Sequence, residues 1–165
     1  MKKLVFLFLS CIAFSCNNTT PKTLFSKEVL SEKLMTTDIG QIAFQNILSK
    51  HQGKTLVIKF WASWCSDCIK SMPKFKELQA QNPDASYVFI SLDKTADQWK
   101  TGIEKHQLEG DHYRANDGMN GTFGEAIDLD WIPRYLIVDK NGKIVTYRAI
   151  ETDFEQINKT LQELN

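Results

Sequence analysis

The sequence predicts an α/β domain in which a mixed β-sheet is flanked by helices. Two apolar runs, residues 55–61 and 86–92, show no alternation of polar and apolar positions, as expected for central strands that are covered on both faces. Segments with helical spacing precede, separate and follow these runs. A β-hairpin and a final helix complete an order of elements that is typical of a sheet packed between helices.

Length, composition and charge favour one globular domain. The chain has 165 residues, 42% of them hydrophobic and 11% aromatic, with 20 basic and 20 acidic side chains. It has 8 Gly and 4 Pro, too few for a collagen-like chain, and its apolar content excludes a disordered one. The balanced charge argues against a nucleic-acid partner, which usually requires a basic excess. We find no internal repeat and no internal domain boundary.

The N-terminus has the order of a secretory signal peptide. Lys2 and Lys3 precede an apolar stretch of 11 residues, 4–14, which is too short to span a bilayer because a span needs about 20 apolar residues. The segment that ends at Cys16 resembles a bacterial lipoprotein signal, in which the cysteine is lipidated and becomes the mature N-terminus. We therefore expect three segments: a signal peptide over 1–15, a polar tether over 16–23 and a domain over 24–165.

This arrangement predicts an exported protein that a lipid anchor holds to a membrane of the cell envelope or periplasm. Cys11 lies inside the apolar stretch, so Cys16 is the expected lipidation site; an ordinary cleaved signal with two incidental cysteines is the alternative. Cleavage before Cys16 removes Lys2 and Lys3 and leaves 18 basic against 20 acidic side chains. The membrane link would then depend on acyl chains rather than on a basic patch. Export also places the protein where disulfides persist.

Spacing and breaker residues predict the elements of the first half. Residues 24–35 have a weak pattern that predicts one short strand only. Apolar residues with helical spacing then predict a helix that ends near Gly53: Ile42, Phe44, Ile47 and Leu48. After the first apolar strand we expect a helix from Cys65 to about Ala80, kinked at Pro73 because proline removes a hydrogen bond and clashes with the preceding turn.

Two capping boxes predict helices in the second half. Thr95 with Gln98 opens a helix after the second apolar strand, and Thr152 with Glu155 opens the last helix of the chain. Between them we expect a short helix over 123–127.

A β-hairpin is predicted before the last helix. Strands over 135–138 and 143–147 flank a turn that contains Asn141-Gly142. This dipeptide tolerates the positive φ that a tight hairpin turn requires, so the two strands are expected to pair with each other.

Cys65 and Cys68 form the pair that carries chemistry. The pair joins the end of a central strand to the start of a helix, whose N-terminal partial positive charge stabilises the thiolate of the first cysteine. Cys65 is therefore the expected nucleophile toward a partner's disulfide, and Cys68 the residue that resolves the mixed disulfide. This chemistry needs no cofactor. We predict no metal, because zinc needs about four ligands and His106 and His112 lack ligand spacing; a purely structural disulfide is the further alternative.

Two segments carry a resemblance to a known family. The first segment, residues 60–68 (FWASWCSDC) followed by Met72-Pro73, resembles the active-site segment of the thioredoxin-like superfamily. Within that superfamily it is most similar to the exported TlpA/ResA-type thiol–disulfide oxidoreductases. The second segment, Trp131-Ile132-Pro133, resembles the other signature of that superfamily, a cis-proline beside the two cysteines. The resemblance implies a thioredoxin-like fold with an insertion between the strand at 86–92 and the cis-proline strand.

The resemblance also implies roles for residues around the cysteines. Backbone groups of Ile132 would pair with an incoming peptide, and Pro133 would keep metal ions away from the thiols. Trp64, Trp131 and Pro133 would form a shallow apolar surface beside Cys65. The implied activity is reduction of disulfides in partner proteins, with an upstream electron donor, and we expect the protein to be a monomer.

Two residues depart from the family pattern. Thioredoxin has an acidic residue six positions before its first cysteine, whereas this chain has Lys59, which we expect to lie beneath Cys68 and to modulate its pKa unless it reaches the surface or pairs with a carboxylate. Asp67 stands between the cysteines, where its charge should raise the pKa of Cys65. A less stable thiolate favours the disulfide, so we predict a reductant.

Two other functions on the same fold stay open at this point. A peroxiredoxin-like peroxidase usually has Thr or Ser three residues before its reactive cysteine, and Ala62 occupies that place. A copper-delivery module would use Cys65 and Cys68 with a third ligand such as His112, although no Met/His cluster supports it. Peroxide turnover would favour the first, and copper binding without dithiol exchange the second.

Overall fold

The computed structural model describes residues 22–165. The predicted signal peptide over 1–15, the predicted lipidation site Cys16 and most of the predicted tether lie outside the described residues. Among the helices of residues 22–165, none has both the length and the apolar character that crossing a membrane requires.

One mixed sheet forms the centre of the described residues. Its strands are β1 (Lys33–Thr36), β2 (Gln41–Ala43), β3 (Leu56–Trp61), β4 (Ser86–Ser91), β5 (Asp111–Arg114), β6 (Arg134–Val138) and β7 (Ile144–Ala149). Their order across the sheet is β2-β1-β5-β4-β3-β6-β7. The pairs β3–β4 and β4–β5 are parallel, and the other neighbours are antiparallel. The predicted α/β fold with a mixed sheet is confirmed.

Helices cover both faces of this sheet. They are α1 (Lys27–Ser31), α2 (Phe44–Lys50), α3 (Ser66–Lys70), α4 (Met72–Gln81), α5 (Ala96–His106), α6 (Thr122–Ala126) and α7 (Phe154–Leu164). Helix α4 packs against α7, and α1 packs against α2 and α6. Side chains of both groups belong to one hydrophobic core.

Strand β3 lies at the centre of the core, and all six of its residues are buried. Its neighbours are β4 on one side and β6 on the other. Lys59 pairs in register with Tyr135, and Phe75 of α4 stacks on Tyr135 at 5.5 Å between ring centroids. Phe60 points to the opposite face, where it meets Phe123 of α6. The apolar run therefore forms a strand covered on both faces, as predicted.

The helix after Cys65 differs from the prediction. Instead of one kinked helix, two helices meet at Ser71, and Pro73 lies in the first turn of the second helix. Proline in a helix interior could not donate to the carbonyl four residues earlier, which would be that of Ile69, whereas the first turn of a new helix requires no such donor. The prediction of a continuous helix was wrong for this reason.

The first third of the domain also contains more structure than predicted. Where one short strand was expected, α1 and β1 are present, and Ile42 belongs to β2 rather than to the following helix. Strand β5, at 111–114, was not predicted either. These segments are short, and their pairing with neighbouring strands, rather than their own pattern, decides their conformation.

Of the two predicted capping boxes, one forms its N-cap bond. The Thr95 hydroxyl accepts a hydrogen bond from the backbone N–H of Gln98 at 3.2 Å, at the start of α5. The prediction of a capping box at Thr152 and Glu155 is wrong, because Asp153 is the N-cap of α7 and makes no side-chain cap bond. The Asp153 carboxylate accepts from the N–H of Ile150 instead. The predicted hairpin is confirmed by the β6–β7 pairing.

Candidate active site

The two cysteines lie at the junction of β3 and α3. Cys65 is the N-cap of α3, its Sγ accepts from the N–H of Cys68 at 3.1 Å, and the two residues are joined by a disulfide with a Cα–Cα distance of 5.2 Å. Cys65 is 7% exposed and Cys68 is completely buried. A sulfur atom of a partner protein can therefore reach Cys65 but not Cys68.

The loop before β6 brings a second segment to the cysteines. The Ile132–Pro133 peptide bond is cis, and the carbonyl oxygen of Ile132 lies 3.7 Å from Cys65 Sγ. The antiparallel register that pairs Phe60 with Arg134 places the end of β3 beside the start of β6. The sheet thus joins two segments that are 67 residues apart in the chain.

Two indoles lie exposed on either side of this contact. Trp64, immediately before Cys65, is 59% exposed, and Trp131, immediately before Ile132, is 54% exposed. Large apolar side chains are usually buried in a monomeric domain, so two exposed indoles at one site indicate a surface that meets a partner. Ile132 itself is buried.

Asp67 is partly exposed in the first turn of α3. Its carboxylate lies 3.8 Å from the ammonium group of Lys70, whose side chain is exposed. A solvated ion pair of this kind contributes little to stability.

Comparison with known proteins decides the family. A family model described as thioredoxin-like matches residues 53–144, which is more than half of the chain. The chain belongs to the thioredoxin-like family.

Relatives of this thioredoxin-like chain include thiol–disulfide oxidoreductases. Thiol-disulfide oxidoreductase ResA from Bacillus cereus is 24% identical over 175 residues, which cover 99% of each chain. Soluble secreted antigen MPT53 from Mycobacterium bovis is 24% identical over 91 residues, 55% of this chain and 51% of the relative. A solved thiol-disulfide oxidoreductase from Bacteroides fragilis covers 81% of this chain and 96% of its own, with 22% identity and a TM-score of 0.64, and shows the fold alone. With its Cys-x-x-Cys pair at disulfide distance, the chain is a thiol–disulfide oxidoreductase.

Lys59 of this thioredoxin-like chain is completely buried in the middle of β3. Its ammonium group donates to the Tyr135 hydroxyl at 3.1 Å and lies 4.4 Å from the centroid of the Phe75 ring. Burial lowers the pKa of Lys59 to about 7, while the charge of Glu151 opposes this shift. Within residues 22–165 no carboxylate is within ion-pair distance of Lys59, so the two alternatives of surface exposure and carboxylate pairing are both wrong.

The hydroxyl groups of Tyr135 and Ser71 lie between Lys59 and the turn of Cys68. Burial raises the pKa of Tyr135, and the Ser71 hydroxyl opposes this shift. The Ser71 hydroxyl donates to the carbonyl oxygen of Cys68 at 3.0 Å. Lys59 and the backbone of the buried cysteine therefore each bond to one of two hydroxyl groups that influence each other.

Sequence reasoning missed a buried carboxylate beside the cysteine loop. Asp93 follows β4 and accepts hydrogen bonds from Ser63 N–H at 3.1 Å, from the Ser63 hydroxyl at 2.7 Å and from the Ser91 hydroxyl at 2.7 Å. The signal available was its position just after a central strand, since the carboxyl ends of neighbouring parallel strands lie at the same edge of a sheet.

Buried and exposed guanidinium groups hold the cis-proline loop. Arg134, which is 2% exposed, donates to the carbonyl oxygen of Asp128 at 2.9 Å and pairs with the Asp130 carboxylate. The more exposed Arg148 pairs with the same carboxylate at 2.8 Å. These contacts fix the segment that precedes Trp131.

Proposed function

We propose that this thiol–disulfide oxidoreductase is an exported, lipid-anchored reductase of protein disulfides, with Cys65 as nucleophile and Cys68 as resolving residue. The observation that carries the roles is the placement of Cys65: it is the N-cap of α3, it receives the N–H of Cys68, and it is the more exposed of the two. A helix N-terminus stabilises a thiolate at that place.

The proposed reaction is two successive thiol–disulfide exchanges. The Cys65 thiolate attacks one sulfur of a partner's disulfide, and the partner's other sulfur leaves as a thiolate and takes up a proton. The Cys68 thiol loses its proton and attacks the Cys65 sulfur, which releases the partner's second thiolate. Two electrons have then passed to the partner, and the Cys65–Cys68 disulfide is the product. An external dithiol donor must reduce it again.

Trapping with Cys68→Ala tests both roles and finds the partners. This variant should stop after the first exchange and hold partner proteins on Cys65 as mixed disulfides that reducing agents release. The double variant Cys65→Ala/Cys68→Ala is the matched control and should hold none. Partners held equally by Cys65→Ala alone would show that Cys65 is not the nucleophile.

Asp67 supports the reductase direction. Its partly exposed carboxylate lies in the first turn of α3, where it opposes the Cys65 thiolate and so disfavours the reduced form. We expect a potential near the value of about −270 mV for thioredoxin, and a less reducing value in Asp67→Asn. Equilibration with glutathione measures both. A wild-type potential near about −120 mV, that of the strong oxidant DsbA, would contradict the proposed direction.

Lys59 is proposed to modulate the proton of Cys68. Its hydrogen-bond partner Tyr135 is influenced by Ser71, whose hydroxyl donates to the Cys68 carbonyl. The pKa of Lys59, lowered by burial to about 7, allows it to exist in both protonation states near neutrality. Lys59→Met should therefore move the pKa of Cys68 in the reduced protein. Unchanged thiol pKa values and unchanged exchange rates in this variant would limit Lys59 to a packing role.

The partner is proposed to bind across the exposed indoles. Trp64 and Trp131 flank the Cys65–Ile132 contact, and the Ile132 carbonyl is oriented toward Cys65. A protein substrate would bury the two indoles and pair with the backbone of the cis-proline loop at Ile132 and Pro133. Trp131→Ala should raise KM for a protein disulfide while leaving the reaction of Cys65 with a small alkylating agent unchanged.

Export and anchoring are proposed from the N-terminal segment and one relative. Residues 1–16 have the order of a lipoprotein signal, and the relative MPT53 is described as a soluble secreted antigen. Expression with labelled fatty acid should label the wild type and Cys11→Ser, but not Cys16→Ser, which should be released as a soluble protein. Equal labelling of Cys16→Ser would contradict the anchor. Sedimentation of the mature protein tests the expected monomer.

A further inference from the structure

Asp93 is held in one place by its surroundings. Its carboxylate is completely buried, and all four of its short contacts are hydrogen bonds donated by Ser63 and Ser91. The backbone around Asp93 is also held. The guanidinium of Arg114 donates to the Asp93 carbonyl oxygen at 3.0 Å, and the N–H of the preceding residue, Leu92, donates to the carbonyl of Trp61 at 2.9 Å. The carboxylate is therefore a fixed acceptor rather than a mobile one.

The main partner of this carboxylate is the loop of the nucleophile. Ser63 is the second residue of a turn in which the Cys65 N–H donates to the carbonyl oxygen of Ala62 at 3.2 Å. Both the backbone N–H and the hydroxyl of Ser63 point to Asp93. The side chain of Asp93 thus attaches the turn that ends at Cys65 to the segment that follows β4.

Helix α5 confines the same serine from another direction. A Cβ atom at Gly102 would lie 2.9 Å from Ser63 Cβ and 3.0 Å from Trp61 Cη2. Such distances are too short for real contacts, so the absence of a side chain at Gly102 lets the helix touch the loop. Ser63 therefore lies between the Asp93 carboxylate, which accepts its hydrogen bonds, and helix α5, which leaves no room for it to move.

We propose that Asp93 is a positioning residue for Cys65, which keeps the turn from Ala62 closed by holding Ser63. The closed turn places the Cys65 sulfur at the start of α3, where it receives the N–H of Cys68. The inference rests on the proposed role of Cys65 as nucleophile, because it concerns how that sulfur is presented.

Positioning and simple charge predict opposite results when Asp93 is removed. If the turn opens, the thiolate loses its contact with the helix N-terminus, and the pKa of Cys65 rises toward its ordinary value. If the carboxylate acts only by its negative charge, its removal relieves repulsion and the pKa of Cys65 falls. The sign of the change therefore separates the two effects.

The experiment is alkylation of the reduced protein with iodoacetamide at a series of pH values, with mass spectrometry to read Cys65 and Cys68 separately. Asp93→Ala should move the midpoint for Cys65 upward by about one unit, which corresponds to about tenfold slower alkylation below the midpoint. Ser63→Ala, which keeps the backbone donor and removes the hydroxyl, should shift it in the same direction by less. Ser63→Ala also answers the question if Asp93→Ala does not fold.

Asp139→Ala is the matched control. Asp139 also accepts from two backbone N–H groups, those of Asn141 and Lys143, but it lies in the hairpin at the other end of β6 from Pro133. Its removal should leave the Cys65 midpoint unchanged. A downward shift or no shift in both active-site variants would overturn the proposal. A wild-type Cys65 that reacts no faster than Cys68 would instead contradict the nucleophile role, whatever the variants do.

Discussion

Two completely buried ionisable side chains lie near the segments of the two cysteines, and their surroundings differ. Asp93, bonded to the loop before Cys65, accepts four hydrogen bonds. Lys59, in the middle of β3, donates one hydrogen bond to Tyr135 and otherwise faces aromatic rings. Hydrogen bonds within the protein therefore replace the lost hydration of the Asp93 carboxylate, whereas they replace that of the Lys59 ammonium group only in part.

This difference teaches that the number of partners, rather than burial itself, decides what a buried charge can do. A carboxylate with three donor groups fixes a loop, and its removal leaves these donors without an acceptor. A lysine with one partner is easily neutralised, because burial lowers its pKa to about 7. Asp93 is thus suited to holding geometry, and Lys59 to changing its charge near neutral pH.

The largest expected effect is the loss of stability in Asp93→Ala. The change leaves the Ser63 N–H and two hydroxyl groups without their acceptor in a buried place, so we expect the free energy of unfolding to fall by about 3 kcal/mol. Urea denaturation of the oxidised protein measures it. Asp139→Ala, which removes a partly buried loop carboxylate, should cost about 1 kcal/mol or less. Equal losses in the two variants would show that Asp93 is an ordinary loop anchor.

Lys59 predicts a pH dependence of stability in the oxidised protein, where the two cysteines do not titrate. Its pKa is about 7 in the folded state, because of burial, and 10.5 for the unperturbed group. Between these values the unfolded chain binds the extra proton, so stability should rise with pH, by at most about 1.4 kcal/mol per unit. Below pH 7 both states hold the proton and the penalty of burial is complete.

Lys59→Met removes this titration with little change of volume. The variant should be more stable than the wild type at pH 6, and the difference should shrink between pH 7 and pH 9. Urea denaturation at these pH values measures the two curves. Parallel curves would show that Lys59 keeps its proton in the fold.

The sequence predicts the central features of the fold because they depend on local patterns. The run 55–61 is apolar apart from Thr55 and Lys59 and shows no alternation, so we predict a covered strand. The cysteine pair follows this strand after a short turn. Strands β2 and β5 are short and polar in part, and neighbouring strands decide their conformation. They were missed for that reason.

The contacts within the site were harder to predict from the sequence than the residues that form it. Asp93 lies 30 positions from Ser63, and only the parallel pairing of β3 with β4 brings the two together. Lys59 could be recognised as unusual in an apolar strand, but its partner Tyr135 comes from β6, 76 residues away. Spacing along the chain does not show which hydroxyl or carboxylate meets a buried charge.

Gly102→Ala tests the packing side of the support for Cys65. The new methyl group would meet Ser63 and Trp61 at 2.9 and 3.0 Å, and overpacking of this kind costs about 1–3 kcal/mol, partly offset by about 1 kcal/mol of helix propensity. We therefore expect a net loss of up to about 2 kcal/mol, smaller than for Asp93→Ala. Thr101→Ala, at the exposed neighbouring position of the same helix, should be neutral or slightly stabilising. A stabilised Gly102→Ala would mean that α5 does not press on the loop.

The smallest expected effect is the change with pH of the coupling between Lys59 and Tyr135, and it is the one that reports the charge of Lys59 most directly. A double-mutant cycle with Lys59→Met and Tyr135→Phe isolates the hydrogen bond between them, which measures 3.1 Å. A hydrogen bond from a charged donor contributes about 1.5–3 kcal/mol, and one between neutral groups about 0.5–1.5 kcal/mol. Because the pKa of Lys59 is lowered by burial to about 7, the coupling measured by urea denaturation should be larger at pH 6 than at pH 9. A coupling that does not change between these pH values would mean that Lys59 has one charge state throughout, and the contrast with Asp93 would then lie only in the number of partners.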